Sequence, residues 1–182
     1  MLRLCLDLNV WVGAFLAEKY GRQDTAAQSL VEAIRLGQSP RGPVALVISW
    51  GMLFRLNAVI LRLTGDQAVA DRLMGIIATL ARDGPSPTVG GVGVLPLDDE
   101  EDRHVLETAL TGEADLLVTQ NLNDFIQGDV DRLDDGHWYG LSRDPPRKLL
   151  IAHTYGAAAW LRGEPWPEQV EAYIASVGRP QG

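Results

Sequence analysis

Along most of the chain, apolar runs of strand length alternate with segments whose apolar residues recur at helical spacing. The runs lie at residues 2–8, 44–48, 92–97, 114–119 and 149–152. Between the first two, Leu30, Val31 and Ile34 lie on the apolar stripe of a helix that ends at Gly37. This alternation favours a parallel sheet with helices on both faces. We therefore predict the α/β class, with a three-layer α/β/α sandwich around a central, mostly parallel sheet of four to five strands.

The length of the chain indicates one folded unit with a short appendage. At about 150 residues per domain, a chain of 182 residues corresponds to one domain. We expect this domain to span residues 1–162. Residues 163–182 are predicted to form a C-terminal helix and a loose tail packed on it.

The acidic residues are concentrated in one part of the chain. The net charge is −8, but residues 98–135 contain 13 acidic residues and two basic ones, a net of −11, so the rest of the chain nets +3. This composition argues against a protein that binds a polyanion through a broad basic face. It is compatible with an enzyme that reaches a phosphodiester through metal ions.

Other features of the sequence exclude further classes. The single cysteine, Cys5, rules out an internal disulfide framework and a zinc site made of several cysteines. No apolar run approaches the roughly 18 residues of a membrane-spanning helix. The first residues are charged too soon for a signal peptide. We therefore expect a cytoplasmic protein without a membrane partner.

Polar side chains follow the predicted strands at their carboxyl ends, where the sites of parallel sheets collect. Asp7 follows the first strand, and Asn9 is expected to cap the next helix. Ser49 follows the second strand, and residues 98–102 follow the third. The fourth strand is followed by Thr119, Asn121 and Asp124.

Path length brings several of these side chains together. A helix from residue 102 to residue 111 runs about 15 Å, and a strand from residue 114 to residue 119 returns about 20 Å. Asp102, Asn121 and Asp124 can therefore lie close to one another. Asp7 joins them if the first strand neighbours the fourth.

Carboxylates gathered at one place repel each other, and their pKa values rise. A hard divalent cation relieves this repulsion, because Mg²⁺ prefers oxygen ligands and is often held by only one or two carboxylates. Such an ion activates water and neutralises charge on a phosphoryl oxygen. The pattern therefore predicts a metal site at this edge of the sheet.

Three stretches resemble the motifs of the PIN domain, the small α/β nuclease fold of many bacterial toxin–antitoxin toxins. LDLNVWVGAFL resembles the first motif, an Asp at the end of strand one followed by Asn. VISWGMLFRL resembles the second, a strand, a Ser and a helix, and DEEDRHVLETALTGEADLLVTQNLNDF resembles the third and fourth. The motif VTxNLxDF is similar to that of a branch of the family in which Asn replaces the usual Asp after the Thr. The resemblance covers roughly residues 2–155 and implies a PIN-like fold.

The resemblance also implies roles for single residues. Asp7, Asp102 and Asp124 would be the catalytic acids of a metal site, and Asn121 would be a further ligand or a hydrogen-bonding partner. Three other residues would give polar support: Asn9, Ser49 and Thr119.

The activity that the resemblance implies is that of an endoribonuclease dependent on Mg²⁺ or Mn²⁺. Metal-activated water attacks the phosphodiester of an RNA substrate, and the carboxylates hold the metal and take up the proton. A toxin-like protein of this kind would bind a small antitoxin protein, and homodimers are common in the family.

One position departs from the family pattern. The family normally places a Glu on the helix after the second strand, and the corresponding residue here, counted from Ser49, is Arg55. An Arg that faces the site would repel a divalent ion and could pair with Asp7 or Asp102. An alternative hypothesis is therefore a PIN-fold protein with a degenerate metal site, acting in binding or regulation without catalysis. A third is a phosphoryl-transfer or phospho-acceptor domain with Asp7 as the nucleophile.

The other acidic residues have simpler interpretations. Residues 98–101 are interpreted as a solvated helix start, where acids suit the positive end of the helix dipole. Residues 129–135 are interpreted as a solvated loop. Asp115 begins its strand at the end opposite the site, so we expect a structural role for it.

Overall fold

A computed structural model describes residues 1–81, 84–85, 100–125, 130–134, 138–141 and 149–176. At residues 100–102, 131, 138–139, 141 and 174–176 it describes the backbone only. These residues form a sheet of seven strands in the order β2-β3-β1-β4-β7-β6-β5. The strands are β1 (Leu2–Leu6), β2 (Gln38–Ser39), β3 (Gly42–Val47), β4 (Leu116–Thr119), β5 (Val130–Arg132), β6 (Trp138–Leu141) and β7 (Leu149–His153).

The centre of the sheet consists of four parallel strands, β3-β1-β4-β7. Leu4 of β1 lies opposite Leu46 of β3 on one side and opposite Leu116 of β4 on the other. These strands are short apolar runs and their side chains are mostly buried, as expected where helices cover both faces of a parallel sheet. Because β1 has β4 as its neighbour, Asp7 and Thr119 come to the same edge.

Antiparallel strands extend the sheet on both sides. β2 pairs with β3, while β6 pairs with β7 and β5. The prediction of a solvated loop at residues 129–135 is wrong for Val130–Arg132, which forms β5 because a partner strand, invisible in the local pattern, satisfies its backbone. The strand predicted at residues 92–97 lies outside the described residues. The predicted α/β class with a mostly parallel central sheet is confirmed.

The helices lie between the strands or after the last strand along the chain, and pack on the sheet or on one another. The helices are α1 (Leu8–Lys19), α2 (Ala26–Leu36), α3 (Trp50–Thr64), α4 (Gln67–Leu80), α5 (Glu100–Thr111), α6 (Thr154–Leu161) and α7 (Glu168–Ser176). The first crossover runs from β1 to β3 by way of α1 and α2, and the second returns across β1 to β4 by way of α3, α4 and α5, with α3 in contact with α1. α1 and α2 pack together, with α6 against α2, while α5 packs against β1 and β4.

The helix ends follow local signals, with one difference at the site. Ser49 caps α3, and Gly37 ends α2 with a φ of 64°, the latter as predicted. The expectation that Asn9 caps the first helix is wrong. Asp7 is the N-cap, because its carboxylate accepts a hydrogen bond from the backbone N–H of Leu8, and Asn9 lies in the first turn of α1.

The C-terminal helix α7 packs against β6. Val170 is fully buried, and the ring of Tyr173 lies so close to Gly140 that a Cβ there would be 2.4 Å from it. Trp160 and Trp166 also pack together, with ring centroids 3.9 Å apart. The domain boundary at residue 162 stays a prediction. No helix in the described ranges is both long and apolar enough to cross a membrane.

Candidate metal site

The carboxylate of Asp7 is held in place at the end of the central strand. Its Oδ1 accepts a 2.6 Å hydrogen bond from the backbone N–H of Leu8. Its Oδ2 accepts 2.6 Å and 2.7 Å hydrogen bonds from Asn9 Nδ2 and the Thr119 hydroxyl. The residue is only 6% exposed. Asp7 is therefore a fixed, buried acceptor whose orientation is set by β1, α1 and β4 together.

Thr119 is the hydrogen-bonding centre of this edge. Its hydroxyl donates to Asp7 and accepts from the backbone N–H of Asn121 at 3.0 Å and from Asn9 Nδ2 at 3.1 Å. The side-chain oxygen of Asn9 in turn accepts from the backbone N–H of Gln120 at 3.1 Å. These contacts tie the start of α1 to the end of β4.

Asp124 and Asn121 extend the same network. The short 3-10 helix Leu122–Phe125 follows β4 and carries Asp124 in its first turn. The amide of Asn121 donates a hydrogen bond to Oδ2 of Asp124. Because the backbone N–H of Asn121 is bound to Thr119, this pair is anchored to the Asp7 cluster.

The pKa of Asp7 is raised above its usual value, first because burial penalises the charged carboxylate. The hydrogen bonds from Thr119 and Leu8 lower the pKa in opposition, and the negative charge of Asp124 raises it further. Among the described residues Asp7 forms no ion pair. The site thus holds a buried carboxylate with an acidic neighbour, which a cation would stabilise.

Ser49 lies at the end of β3 but has a structural role in the described contacts. It is fully buried, and its hydroxyl accepts a hydrogen bond from the backbone N–H of Met52. The Thr108 hydroxyl lies 3.0 Å from the Ser49 hydroxyl. Ser49 therefore joins α3 to α5, and within the described residues its side-chain hydrogen bonds do not reach Asp7.

Asp102 lies in the first turn of α5, at residues where only the backbone is described. α5 contacts β1, β4 and the 3-10 helix that carries Asp124. The helix is therefore placed to bring its first turn toward this edge of the sheet. A direct role for the Asp102 side chain stays a prediction.

Arg55 is half-buried on α3. Gly51, one turn earlier on the same face, lies against His104 of α5, since a Cβ at Gly51 would be 2.1 Å from His104 Nε2. Arg55 therefore faces the region of α5. In the part of the chain that the structure describes, its buried Nη1 atom has no hydrogen-bond partner, and Arg55 forms no ion pair. The pairing with Asp7 that would mark a degenerate site is not observed, and the alternative pairing with Asp102 falls on a side chain outside the described residues.

The described residues fit a hard divalent cation. A carboxylate has about four acceptor positions, and Asp7 uses three of them, which leaves one on Oδ1. Asp124 adds a second carboxylate and Asn121 an amide oxygen, so the donor set consists of oxygen atoms alone, as Mg²⁺ prefers. Among the described side chains, which exclude Asp102, no group of three or more His, Cys, Asp or Glu residues is placed to hold a metal ion. The described acids therefore do not by themselves make a complete metal site.

Two residues near this edge were missed by the sequence analysis. Gln120 follows Thr119 directly, and His153 ends β7 opposite Thr119. The rule that selected Asp7 and Ser49, a polar residue at the carboxyl end of an apolar run, also selects His153. Asp115, in contrast, lies at the opposite end, where its carboxylate accepts a 2.7 Å hydrogen bond from the backbone N–H of Arg3. Asp115 thus forms a structural contact, as expected.

The chain matches a known protein family. A family model described as the PIN domain matches residues 3–123, well over half of the chain. The range includes Asp7, Ser49, Thr119 and Asn121, and Asp124 follows it directly. No curated protein and no solved structure gave a match. PIN domains are nuclease-type domains that generally depend on divalent metal ions. The chain belongs to the PIN domain family.

Proposed function

We propose that this protein is a ribonuclease that hydrolyses RNA phosphodiesters with Mg²⁺ or Mn²⁺. The observation that carries the proposal is the carboxylate of Asp7, buried at the end of the central strand, held by three hydrogen bonds and next to the charge of Asp124. A buried acid without an ion pair is costly, and a divalent cation would stabilise it. Family membership supports a nuclease-type activity in general.

The proposed roles of the residues follow from how firmly each side chain is held. When bound, a divalent ion supplies activation of water and neutralises the charge that develops on the phosphate. Asp7 gives a fixed ligand, because its three donors prevent rotation of the carboxylate. Asp124, which is half-buried and held by Asn121, is the second acid and a candidate to accept a proton. Asp102 is proposed as the third acid from its position in the motif.

The direct test is cleavage of a labelled RNA by purified protein with Mn²⁺. We expect the wild type to cleave, and Asp7→Asn, Asp102→Asn and Asp124→Asn each to lose most of the activity. Asp115→Asn, which removes a carboxylate away from the site, is the matched control and should cleave as the wild type does. Cleavage that persists in Asp7→Asn and Asp102→Asn, or its absence in the wild type, would overturn the proposal.

We further propose that the protein is the toxin of a toxin–antitoxin pair, with a small antitoxin partner, and that it forms a homodimer. The support is the VTxNLxDF wording around Thr119 and Asp124. Induced expression should stop bacterial growth, and Asp7→Asn should not. Co-expression of a neighbouring small gene should restore growth, and the product of that gene should co-purify with the protein. Growth unaffected by the wild type would overturn the toxin role and leave the nuclease proposal intact.

Arg55 favours a second candidate, a PIN-domain protein that binds or regulates without catalysis. A guanidinium half-buried on α3 stands where the family places a Glu, and it would repel a cation at the site. Calorimetric titration with Mn²⁺ separates the two functions, since a wild type that does not bind Mn²⁺ favours the protein without catalysis. Arg55→Glu should then create binding, with Arg55→Gln as the control for loss of the positive charge alone. A nucleophilic role for Asp7 is disfavoured, because both of its oxygens accept hydrogen bonds and the residue is buried.

A further inference from the structure

A cavity of about 1020 Å³ opens beside the candidate metal site. It lies between the second half of α1, the turn from α1 to α2, and α6. Its volume is at the upper end of the range for sites that enclose a small molecule. Of the proposed metal ligands whose side chains are described, none lines it, so the cavity is a separate feature from Asp7, Asn121 and Asp124.

Gln120 forms the wall between the cavity and the site. Its backbone N–H is bound by Asn9, which also contacts Asp7, and its side chain lines the cavity. The side chain lies against Gly13 of α1, where a Cβ would be 2.7 Å from Gln120 Nε2. Thr154, also in the lining, donates to the carbonyl oxygen of Thr119. A chain that passes the Asp7 cluster therefore reaches the cavity directly.

The rim of the cavity carries aromatic rings that are exposed to solvent. Tyr20 is 68% exposed and Tyr155 is 70% exposed. The ring of His153 lies beside Tyr155, with centroids 5.1 Å apart. Large exposed rings next to a cavity with a mixed apolar and polar lining provide a surface on which unpaired bases stack.

Two arginines accompany these rings, although the chain as a whole carries a net charge of −8. Arg22 and Arg162 line the cavity and are exposed. Arg162 lies 3.9 Å from a carboxylate oxygen of Glu164, a surface pair that contributes little and leaves the guanidinium accessible. Asp24 is an opposing charge in the same lining. Arginine beside aromatic rings suits a phosphate backbone with its bases turned inward.

We propose that this cavity binds nucleotides of single-stranded RNA on one side of the phosphate that lies at Asp7. The inference rests on the proposed ribonuclease function. Tyr20 and Tyr155 stack on bases, and Arg22 and Arg162 contact phosphates. A single strand is required, because only an unpaired base can leave its stack to enter a cavity.

The test is binding of a fluorescein-labelled single-stranded RNA of about ten nucleotides, followed by fluorescence anisotropy in EDTA so that no cleavage occurs. Tyr20→Ala and Tyr155→Ala should each raise Kd by about fivefold or more. Arg22→Gln and Arg162→Gln should each raise Kd. Each should also reduce the slope of log Kd against log salt concentration by about one, as expected for the loss of one phosphate contact. Asp24→Asn should change Kd in the opposite direction and tighten binding.

The matched controls are exposed arginines away from the cavity. Arg72→Gln on α4 should leave Kd unchanged, and thermal melting checks that every variant is folded. Four results would overturn the inference: no binding by the wild type, cavity variants that bind as Arg72→Gln does, looser binding by Asp24→Asn, or equal affinity for a duplex of the same sequence. Cleavage with Mn²⁺ is scored separately. If the wild type cleaves RNA but the cavity variants bind RNA as the wild type does, the ribonuclease proposal stands and the cavity inference fails. If binding depends on the cavity residues but the wild type does not cleave, only the ribonuclease proposal is overturned.

Discussion

The hydroxyl of Thr119 donates a 2.7 Å hydrogen bond to Oδ2 of Asp7, and this contact joins two residues that are 112 positions apart in the sequence. Thr119 is completely buried, and Asp7 nearly so. The contact fixes the candidate metal ligand relative to β4 before any ion or substrate binds.

Replacement of Thr119 by Val keeps the shape of the side chain and removes this donor. It also leaves the backbone N–H of Asn121 without its acceptor. We expect the free energy of unfolding to fall by about 1–3 kcal/mol, the cost of buried polar groups left without partners. Urea denaturation measures this loss of unfolding free energy. The affinity for Mn²⁺ should fall as well. Thr79→Val, at an exposed position of α4, is the control, and an equal loss there would contradict the assignment.

Divalent ions should stabilise the protein through Asp7. A ligand that binds only the folded state, at about 100 times its Kd, adds about 2.7 kcal/mol to the free energy of unfolding. We expect thermal melting to shift upward with Mn²⁺ in the wild type and in Asp115→Asn. The shift should disappear in Asp7→Asn. A shift of the same size in Asp7→Asn would show that the ion binds elsewhere.

Asp115 makes stability depend on pH at the end of the sheet away from the site. Burial raises its pKa above the usual 3.8, and the hydrogen bond from the backbone of Arg3 only partly opposes this. A raised pKa in the folded state means that the contribution of Asp115 is complete below the unfolded pKa and is lost as pH rises through the folded pKa.

Asp115→Asn keeps an oxygen acceptor for Arg3 and removes the titration. Urea denaturation of both proteins between about pH 4 and pH 7 should therefore show the wild type losing stability, relative to the variant, as pH rises. A difference that grows in favour of the wild type over this range would show that the pKa of Asp115 is lowered instead.

Two glycines in helices should respond in opposite ways to Ala. A Cβ at Gly51 of α3 would lie 2.1 Å from His104 Nε2, whereas nothing lies within 4 Å of a Cβ at Gly75 of α4. Gly75→Ala should stabilise the protein by roughly 0.5–1 kcal/mol through helix propensity. Gly51→Ala should destabilise it, because the His104 ring, or α5 with it, must move away from α3. Equal melting temperatures for the two variants would contradict the close packing of these helices.

The polar residues at the ends of the parallel strands could be predicted from the sequence, because each follows a buried apolar run. Asp7, Ser49 and Thr119 were all found in this way. Asn121 and Asp124, which follow β4, are hydrogen-bonded to each other, whereas the closeness of Asp102 to them stays a prediction. What the rule could not supply is the partner of each side chain. Ser49 turns toward α5 and not toward Asp7, a choice that depends on packing between helices distant in sequence.

The exact role of each hydrogen-bonding side chain was also beyond the sequence. Asp7 and Asn9 are both suited to cap a helix, and only the position of Thr119 decides that Asn9 bridges to β4 while Asp7 is the cap. The edge strands β5 and β6 escaped prediction because they are short and are stabilised by pairing across the sheet. The nearby cavity was missed for a similar reason, since its rings come from α1 and α6.

Because β1 lies at the centre of the sheet, the two sides of the candidate site differ in how easily they can open. The backbone N–H of Asp7 is bonded to the carbonyl oxygen of Val118, and β1 is paired along both of its edges. Its amide hydrogens should therefore exchange with solvent only when the whole molecule unfolds. α5 is attached to the sheet by side-chain packing and not by a ladder of backbone hydrogen bonds. Any effector that switches this protein by opening its site must accordingly act on the α5 side, since the Asp7 side cannot yield without loss of the fold.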